Sequence, residues 1–129
     1  MNEAKTTSIV LTGVGGQGIL LASEIVAQAA VLTGFDVKTN EVHGMAQRGG
    51  SVIAQIRYSE DVYSPLVADG EATVLLALER AEGLQFHRYL RPDGLAVVSS
   101  QMIVPVSVSS GTAVYPDDVE DRLRTTYPR

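Results

Sequence analysis

The stretch that decides the fold runs from Ile9 to Thr33: Ile9-Val10-Leu11-Thr12-Gly13-Val14-Gly15-Gly16-Gln17-Gly18, then ILLASEIVAQAAVLT from Ile19 onward. Three consecutive apolar residues cut by Thr12 and Gly13 read as a buried parallel strand, because both faces of such a strand are covered. Gly13, Gly15 and Gly18 match G-x-G-x-x-G between that strand and the next element. The residues from about Ile19 to Thr33 predict one long helix, which Gly34 is placed to end. Apolar side chains surround most of it, with Glu24 and Gln28 four apart on a narrow polar stripe. A helix this apolar is expected to pack on a sheet and on a second surface as well.

Outward from this unit, Val37–Val42 predicts a second strand, and His43–Gly50 (HGMAQRGG) is too rich in glycine for regular structure. Ser51–Tyr58 alternates as a half-exposed strand, expected to turn at Ser59-Glu60-Asp61 into Val62 and Tyr63. Thr73–Leu78 reads as a buried strand and Glu79–Leu90 as a helix weakened by Gly83. Pro92-Asp93-Gly94 predicts a turn, Leu95–Val98 a strand, and Pro116–Thr125 a short charged helix. This alternation predicts a single α/β domain over residues 1–129, Rossmann-like and three-layered, with a mostly parallel sheet and helices on both faces.

Composition narrows the chemistry. The chain has 129 residues, 45% of them hydrophobic, with 10 Lys and Arg against 15 Asp and Glu. The net charge of −5 and the lack of a basic cluster argue against a nucleic-acid partner. There is no cysteine, so thiolate zinc, a cysteine nucleophile and cysteine-ligated iron–sulfur clusters are excluded on this chain. A short polar N-terminus and an apolar run broken by Ser23, Glu24 and Gln28 lead to the expectation of a cytoplasmic protein with no membrane span.

Two loops carry the candidate ligand-binding residues. In the first, Gly13, Gly15, Gly16 and Gly18 let backbone approach an anion at a helix N-terminus, and Gln17 brings an amide able to donate to phosphate. The alternative is that these glycines only let helix and sheet pack closely. Glu41 is the nearest acidic residue for a dinucleotide ribose, but stands late, just before the second loop. There His43, Gln47 and Arg48 stand beside Gly49, and an arginine fork among glycines suits a carboxylate or phosphate. The alternative is a surface loop whose arginine pairs with a nearby carboxylate. No nucleophile–base pair and no metal-ligand cluster stands out, so no catalytic or metal residue is assigned.

Taken together, GVGGQGILLASEIVAQAA (Gly13–Ala30), EVHGMAQRGGSV (Glu41–Val52), VYSPLV (Val62–Val67), GEATVLLALE (Gly70–Glu79) and YLRPDGLAVV (Tyr89–Val98) resemble the gamma subunit or domain of the 2-oxoacid:ferredoxin oxidoreductases, the pyruvate/ketoisovalerate gamma type. Among its branches the resemblance is greatest to the indolepyruvate oxidoreductases, whose gamma-type chain is their beta subunit. The resemblance implies a share in thiamine-dependent oxidative decarboxylation of a 2-oxoacid, with electrons passing to ferredoxin and the acyl group to coenzyme A. It further implies that thiamine diphosphate, magnesium and iron–sulfur clusters reside on a larger partner subunit, with coenzyme A at the interface and the isolated chain inactive. Two departures accompany it. Family members continue past Arg129, so the last part of the usual domain is expected to be missing, and Thr73 and Arg80 stand where Asp and Pro are expected. Competing readings are an independent NAD(P)- or other nucleotide-binding domain and a structural or regulatory interaction module.

Overall fold

A computed structural model describes residues 6–43, 50–103, 111 and 115–127. Strand β1 (Thr7–Val14) leads through the glycine loop into α1 (Ile19–Thr33), followed by β2 (Asp36–His43) and β3 (Ser51–Ser59). Then come β4 (Ala72–Ala77), α2 (Arg80–Gln85), a single 3₁₀ turn (His87–Tyr89), β5 (Leu90–Val98) and α3 (Val119–Thr126). The helix expected from Ile19 to Thr33 has those bounds, and Gly34 closes it in the left-handed conformation at φ 103°.

The five strands form one sheet in the order β2-β3-β1-β4-β5. β1 pairs parallel to β4, and β4 parallel to β5, whereas β3 is antiparallel to both of its neighbours, β1 and β2. Four strands therefore point one way and β3 runs back between β1 and β2, so the sheet is mixed, with two parallel and two antiparallel pairings. That reversal follows from the connection: the short segment between β2 and β3 allows a hairpin-like return but not a helical crossover.

Side chains alternate across each strand, so the register sorts the core into two faces. Leu11, Ala54 and Ile56 face α1 and pack with Ile19 and Val52. Val10 and Leu75 face the other way, toward Val67 and Tyr89. On that second side Gly83 of α2 seats on Ala77 and Val98. Helices thus cover both faces.

Three expectations need correction. Val62 and Tyr63 do not continue a hairpin: Val62 and Val67 are buried in an irregular segment, Val67 against Val10 and Leu75 on the α2 side of the sheet. The helix after β4 stops at Gln85 instead of reaching Leu90. Gly83 explains much of this, since it costs helix propensity yet cannot be replaced without conflict: a Cβ there would lie 2.7 Å from Val98 Cγ1. Finally, Pro92-Asp93-Gly94 lies inside β5. Between the pairs Ala72↔Leu90 and Val74↔Leu95, β4 advances two residues and β5 five, so the turn residues bulge from a strand that starts at Leu90.

Candidate functional site at the strand ends

The C-terminal end of β1 gathers the first loop, the return from the second, and the start of α2. Gly16 and Gly18 hold φ of +98° and +88°, a region that favours glycine, and a Cβ at either would enter open space. Gly13 is crowded instead: a Cβ there would lie 2.7 Å from Gln17 Oε1 and 2.8 Å from Ile19 Cδ1, so one of these side-chain ends would have to shift. This is the close strand-to-helix approach that the glycine pattern implies.

Gln17 acts as a strut. Its Oε1 accepts the Val14 N–H at 2.8 Å, and its Nε2 donates to the Leu78 carbonyl at 2.7 Å. The amide that the sequence offers to a phosphate therefore ties the loop to the end of β4. Gly15 donates its N–H to the Gly50 carbonyl at 2.8 Å, which joins the glycine loop to the residue where the second loop ends.

Helix α1 begins without a side-chain cap, and its first internal bond runs from Ala22 N–H to the Gly18 carbonyl. The N–H groups of Ile19, Leu20 and Leu21 consequently have no partner within the helix. Beside them lies an open cleft of about 450 Å³, lined by Gly15, Gly16, Gly18, Leu20, Leu21 and Val52 among others. Backbone donors at one end and apolar walls elsewhere fit a ligand with an anionic group on an apolar body. Among the described residues, no group of three or more His, Asp or Glu is arranged to hold a metal ion.

His43 ends β2, and its side chain lies outside the described structure, as do Gln47, Arg48 and Gly49 altogether. The strand order bears on the dinucleotide reading. In that fold the strand carrying the acidic residue neighbours the glycine-loop strand. Here Glu41 pairs with Ala54, and Ala54 in turn with Leu11, so a full strand separates Glu41 from β1. At a strand spacing of about 4.8 Å, that sets its backbone roughly 10 Å away. The two family departures also find uses: Thr73 Oγ1 accepts the Ser8 N–H, and the Arg80 N–H, which a proline would lack, donates to the Gln101 carbonyl.

The sequence reading missed a buried polar cluster on the α2 side. Glu79, 1% exposed, caps α2 by accepting the Glu82 N–H at 2.9 Å, and its other oxygen takes the Tyr115 hydroxyl at 2.6 Å and the Ile103 N–H at 3.2 Å. Glu82 is also buried and accepts the Ser51 hydroxyl. Burial pushes its carboxyl above the ordinary value, and the charge of Glu79 adds to this while the Ser51 bond opposes it. The available signal was the three-residue spacing of Glu79 and Glu82 after an apolar strand, the spacing at which a helix cap and its partner stand.

Residues 8–125 match the family model described as pyruvate ferredoxin/flavodoxin oxidoreductase, and the chain belongs to that family. Within it, the chain is 49% identical over 112 residues to the indolepyruvate oxidoreductase subunit IorB of Thermococcus kodakarensis, a match covering 87% of this chain and 55% of that one. The chain thus spans about half the length of such relatives. The fold is shared with the gamma subunit of keto/oxoacid ferredoxin oxidoreductase from Geobacter sulfurreducens, at TM-score 0.59 and 23% identity, covering 81% of this chain and 65% of that one. It is shared too with 2-oxoglutarate:ferredoxin oxidoreductase from Magnetococcus marinus, whose structure holds 2-oxoglutarate, coenzyme A and succinyl-CoA. That match has TM-score 0.63 and 22% identity, and covers 89% of this chain but 18% of the other.

Proposed function

We propose that the chain is the gamma-type component of a cytoplasmic 2-oxoacid:ferredoxin oxidoreductase, of the indolepyruvate kind. In this reading it shares in oxidative decarboxylation but does not carry the reaction alone. The observation that carries the reading is the 49% identity to IorB, which extends over 87% of the chain. The physical chemistry agrees. These 129 residues contain no cysteine and so hold no cysteine-ligated cluster themselves, and the reading assigns the electron path to ferredoxin to a larger partner. Thiamine diphosphate and its magnesium belong there too. The outer side of α1 offers a surface for such a partner: Leu21 and Leu32 are 62% and 85% exposed, and Ile25 stands between them.

The glycine-loop cleft, with N–H groups that have no partner within the helix, is assigned to the anionic part of coenzyme A or of the oxoacid at the subunit interface. Gly13, Gly15, Gly16, Gln17 and Gly18 shape it, and His43, Gln47, Arg48 and Gly49 are assigned to the same edge. When bound, coenzyme A supplies the acyl-accepting thiol; this chain's part is to hold its charge and exclude water.

The test is reconstitution. The chain, the larger thiamine- and cluster-bearing subunit, and the two together are assayed for oxoacid-dependent reduction of a viologen dye. Turnover is expected from the pair and not from this chain. Equal turnover by the larger subunit alone would leave this chain a structural or regulatory module. Tight binding of NAD(P)H by the isolated chain would favour the nucleotide-binding alternative.

A further inference from the structure

Of the two buried carboxylates at the start of α2, Glu79 is accounted for as the helix cap and the anchor of Tyr115. Glu82 is not. The helix uses its backbone N–H, but its side chain has a single described partner, the Ser51 hydroxyl, at 2.8 Å from Oε1 and 2.9 Å from Oε2. Among the described residues this buried carboxylate faces no cation, an arrangement that is unfavourable for a charged side chain.

Its partner occupies a particular place. Ser51 opens β3, directly after Gly50, whose carbonyl receives the Gly15 N–H. The register sets Ser51 opposite Val14, the last residue of β1. Ser51 therefore stands between a side-chain bond to α2 and a backbone bond to the glycine loop. Gln17 completes the frame from the other side, through Val14 and Leu78.

We infer that Glu82 is a positioning residue which, through Ser51, fixes the start of β3 and thereby sets the glycine loop in its ligand-ready shape. The positioning stands on the hydrogen bonds alone; only the identity of what the loop meets rests on the proposed function.

The experiment compares Ser51→Ala, Glu82→Leu and Glu82→Gln in the purified full chain, by amide hydrogen exchange at Gly15 and at the β1 core residues Val10 and Leu11. Loss of one hydrogen bond corresponds to about a tenfold change in an opening equilibrium. Ser51→Ala and Glu82→Leu are expected to speed Gly15 exchange by about that factor and leave Val10 and Leu11 protected. Glu82→Gln keeps an acceptor for the serine hydroxyl and is expected to restore protection. In the reconstituted complex, the first two variants should raise the apparent KM for coenzyme A or oxoacid several-fold while kcat stays within about twofold, with Gln close to wild type. Unchanged Gly15 exchange in both would overturn the inference, as would a parallel loss of protection at Val10 and Leu11. Should Glu82→Leu fail to fold, Ser51→Ala, which removes only a hydroxyl, decides the matter. A Gly15 response without any change in KM upholds the positioning and counts against the ligand assigned to the loop.

Discussion

Helices α1 and α2 lie on opposite faces of one sheet and reverse the usual division of polarity. Fifteen residues long, α1 has Glu24 as its one charged residue, yet leaves Leu21, Ile25 and Leu32 in solvent. By contrast, α2 has six residues, follows a carboxylate and contains another, and buries both. Composition alone would bury α1 entirely and expose α2. The difference lies in what surrounds each helix. The inner side of α1 is satisfied by the sheet, and nothing among the described residues covers its outer side. For α2, the neighbouring hydroxyls and N–H groups of Tyr115, Ser51 and Ile103 make burial of charge tolerable. An apolar outer face and a hydrogen-bonded acidic base are thus two halves of one arrangement, in which the proposed partner would meet α1 and the inferred positioning of the strand ends falls to α2.

The largest expected effect tests the first half. Replacing Leu21 and Ile25 together with Glu should leave the urea midpoint of the chain within about 0.5 kcal/mol, as exposed positions usually do. Affinity for the larger subunit should fall by roughly 3–6 kcal/mol, a hundredfold or more, because two apolar side chains lose their burial. Sedimentation or titration of the two subunits measures this. Undiminished assembly would place the partner elsewhere and break the contrast between the helices.

Next comes Glu79→Ala, which leaves the Glu82 N–H, the Ile103 N–H and the Tyr115 hydroxyl without their acceptor. Loss of a cap and of bonds to a charged group predicts destabilisation of about 3 kcal/mol, and Glu79→Gln roughly half of that. Denaturant unfolding at constant slope checks both. A loss under about 1 kcal/mol for Ala would mean that the acidic base of α2 is not the anchor described.

A smaller effect separates the glycines. At Gly13, an alanine Cβ would lie 2.7 Å from Gln17 Oε1 and 2.8 Å from Ile19 Cδ1. At Gly18 space is open, and the penalty comes from φ alone. Gly13→Ala should cost about 1–3 kcal/mol by overpacking, and Gly18→Ala about 1 kcal/mol from left-handed strain. Only Gly13→Ala should loosen the Gln17 strut, seen as faster exchange of the Val14 amide.

These cases show what was legible. The β1–loop–α1 unit reads directly because its determinants are local: an apolar run, glycines at fixed offsets, and Gly34 at the far end. The family is legible for the same reason, since its motifs lie in these contiguous stretches. The reversal of β3 is not, because strand order depends on which edges meet, and Ser51–Tyr58 alternates equally well in either direction. Nor is the end of α2 at Gln85, since the helix holds a glycine whose close seat against Val98, fifteen residues away in the chain, the local sequence does not reveal. At the candidate site, two glycines of the pattern have a structural reason to be glycine, Gly13 by its close approach to Gln17 and Ile19 and Gly18 by its φ of +88°. The role of Gln17 was missed because its acceptor, Leu78, is distant in sequence. Glu79 and Glu82 were missed because carboxylates signal an exposed surface until their partners are known.

The smallest effect sets two carboxylates of opposite behaviour against each other, Glu82 beneath the strand ends and Asp36 at the start of β2. Asp36 accepts the Val62 N–H at 2.9 Å and the Lys38 ammonium at 3.0 Å, and these bonds hold its pKa below the ordinary 3.8. Its contribution to stability is present above pH 3.8 and is lost as the pH falls through the lower folded value. Glu82 has the reverse sign. Burial raises its pKa above 4.5, so the folded state holds the proton more tightly than the unfolded chain. Its contribution is complete below pH 4.5 and is lost as the pH climbs through the raised folded value. The only charged group acting on Glu82 among the described residues is Glu79, which pushes the same way. Urea midpoints of wild type, Glu82→Gln and Asp36→Asn across roughly pH 3 to 7 isolate the two contributions as differences. The wild-type minus Glu82→Gln difference should fall with rising pH, and the wild-type minus Asp36→Asn difference should rise. A flat Glu82 difference would mean that water reaches this carboxylate, and the contrast between a buried acidic base under α2 and an ordinary surface carboxylate would disappear.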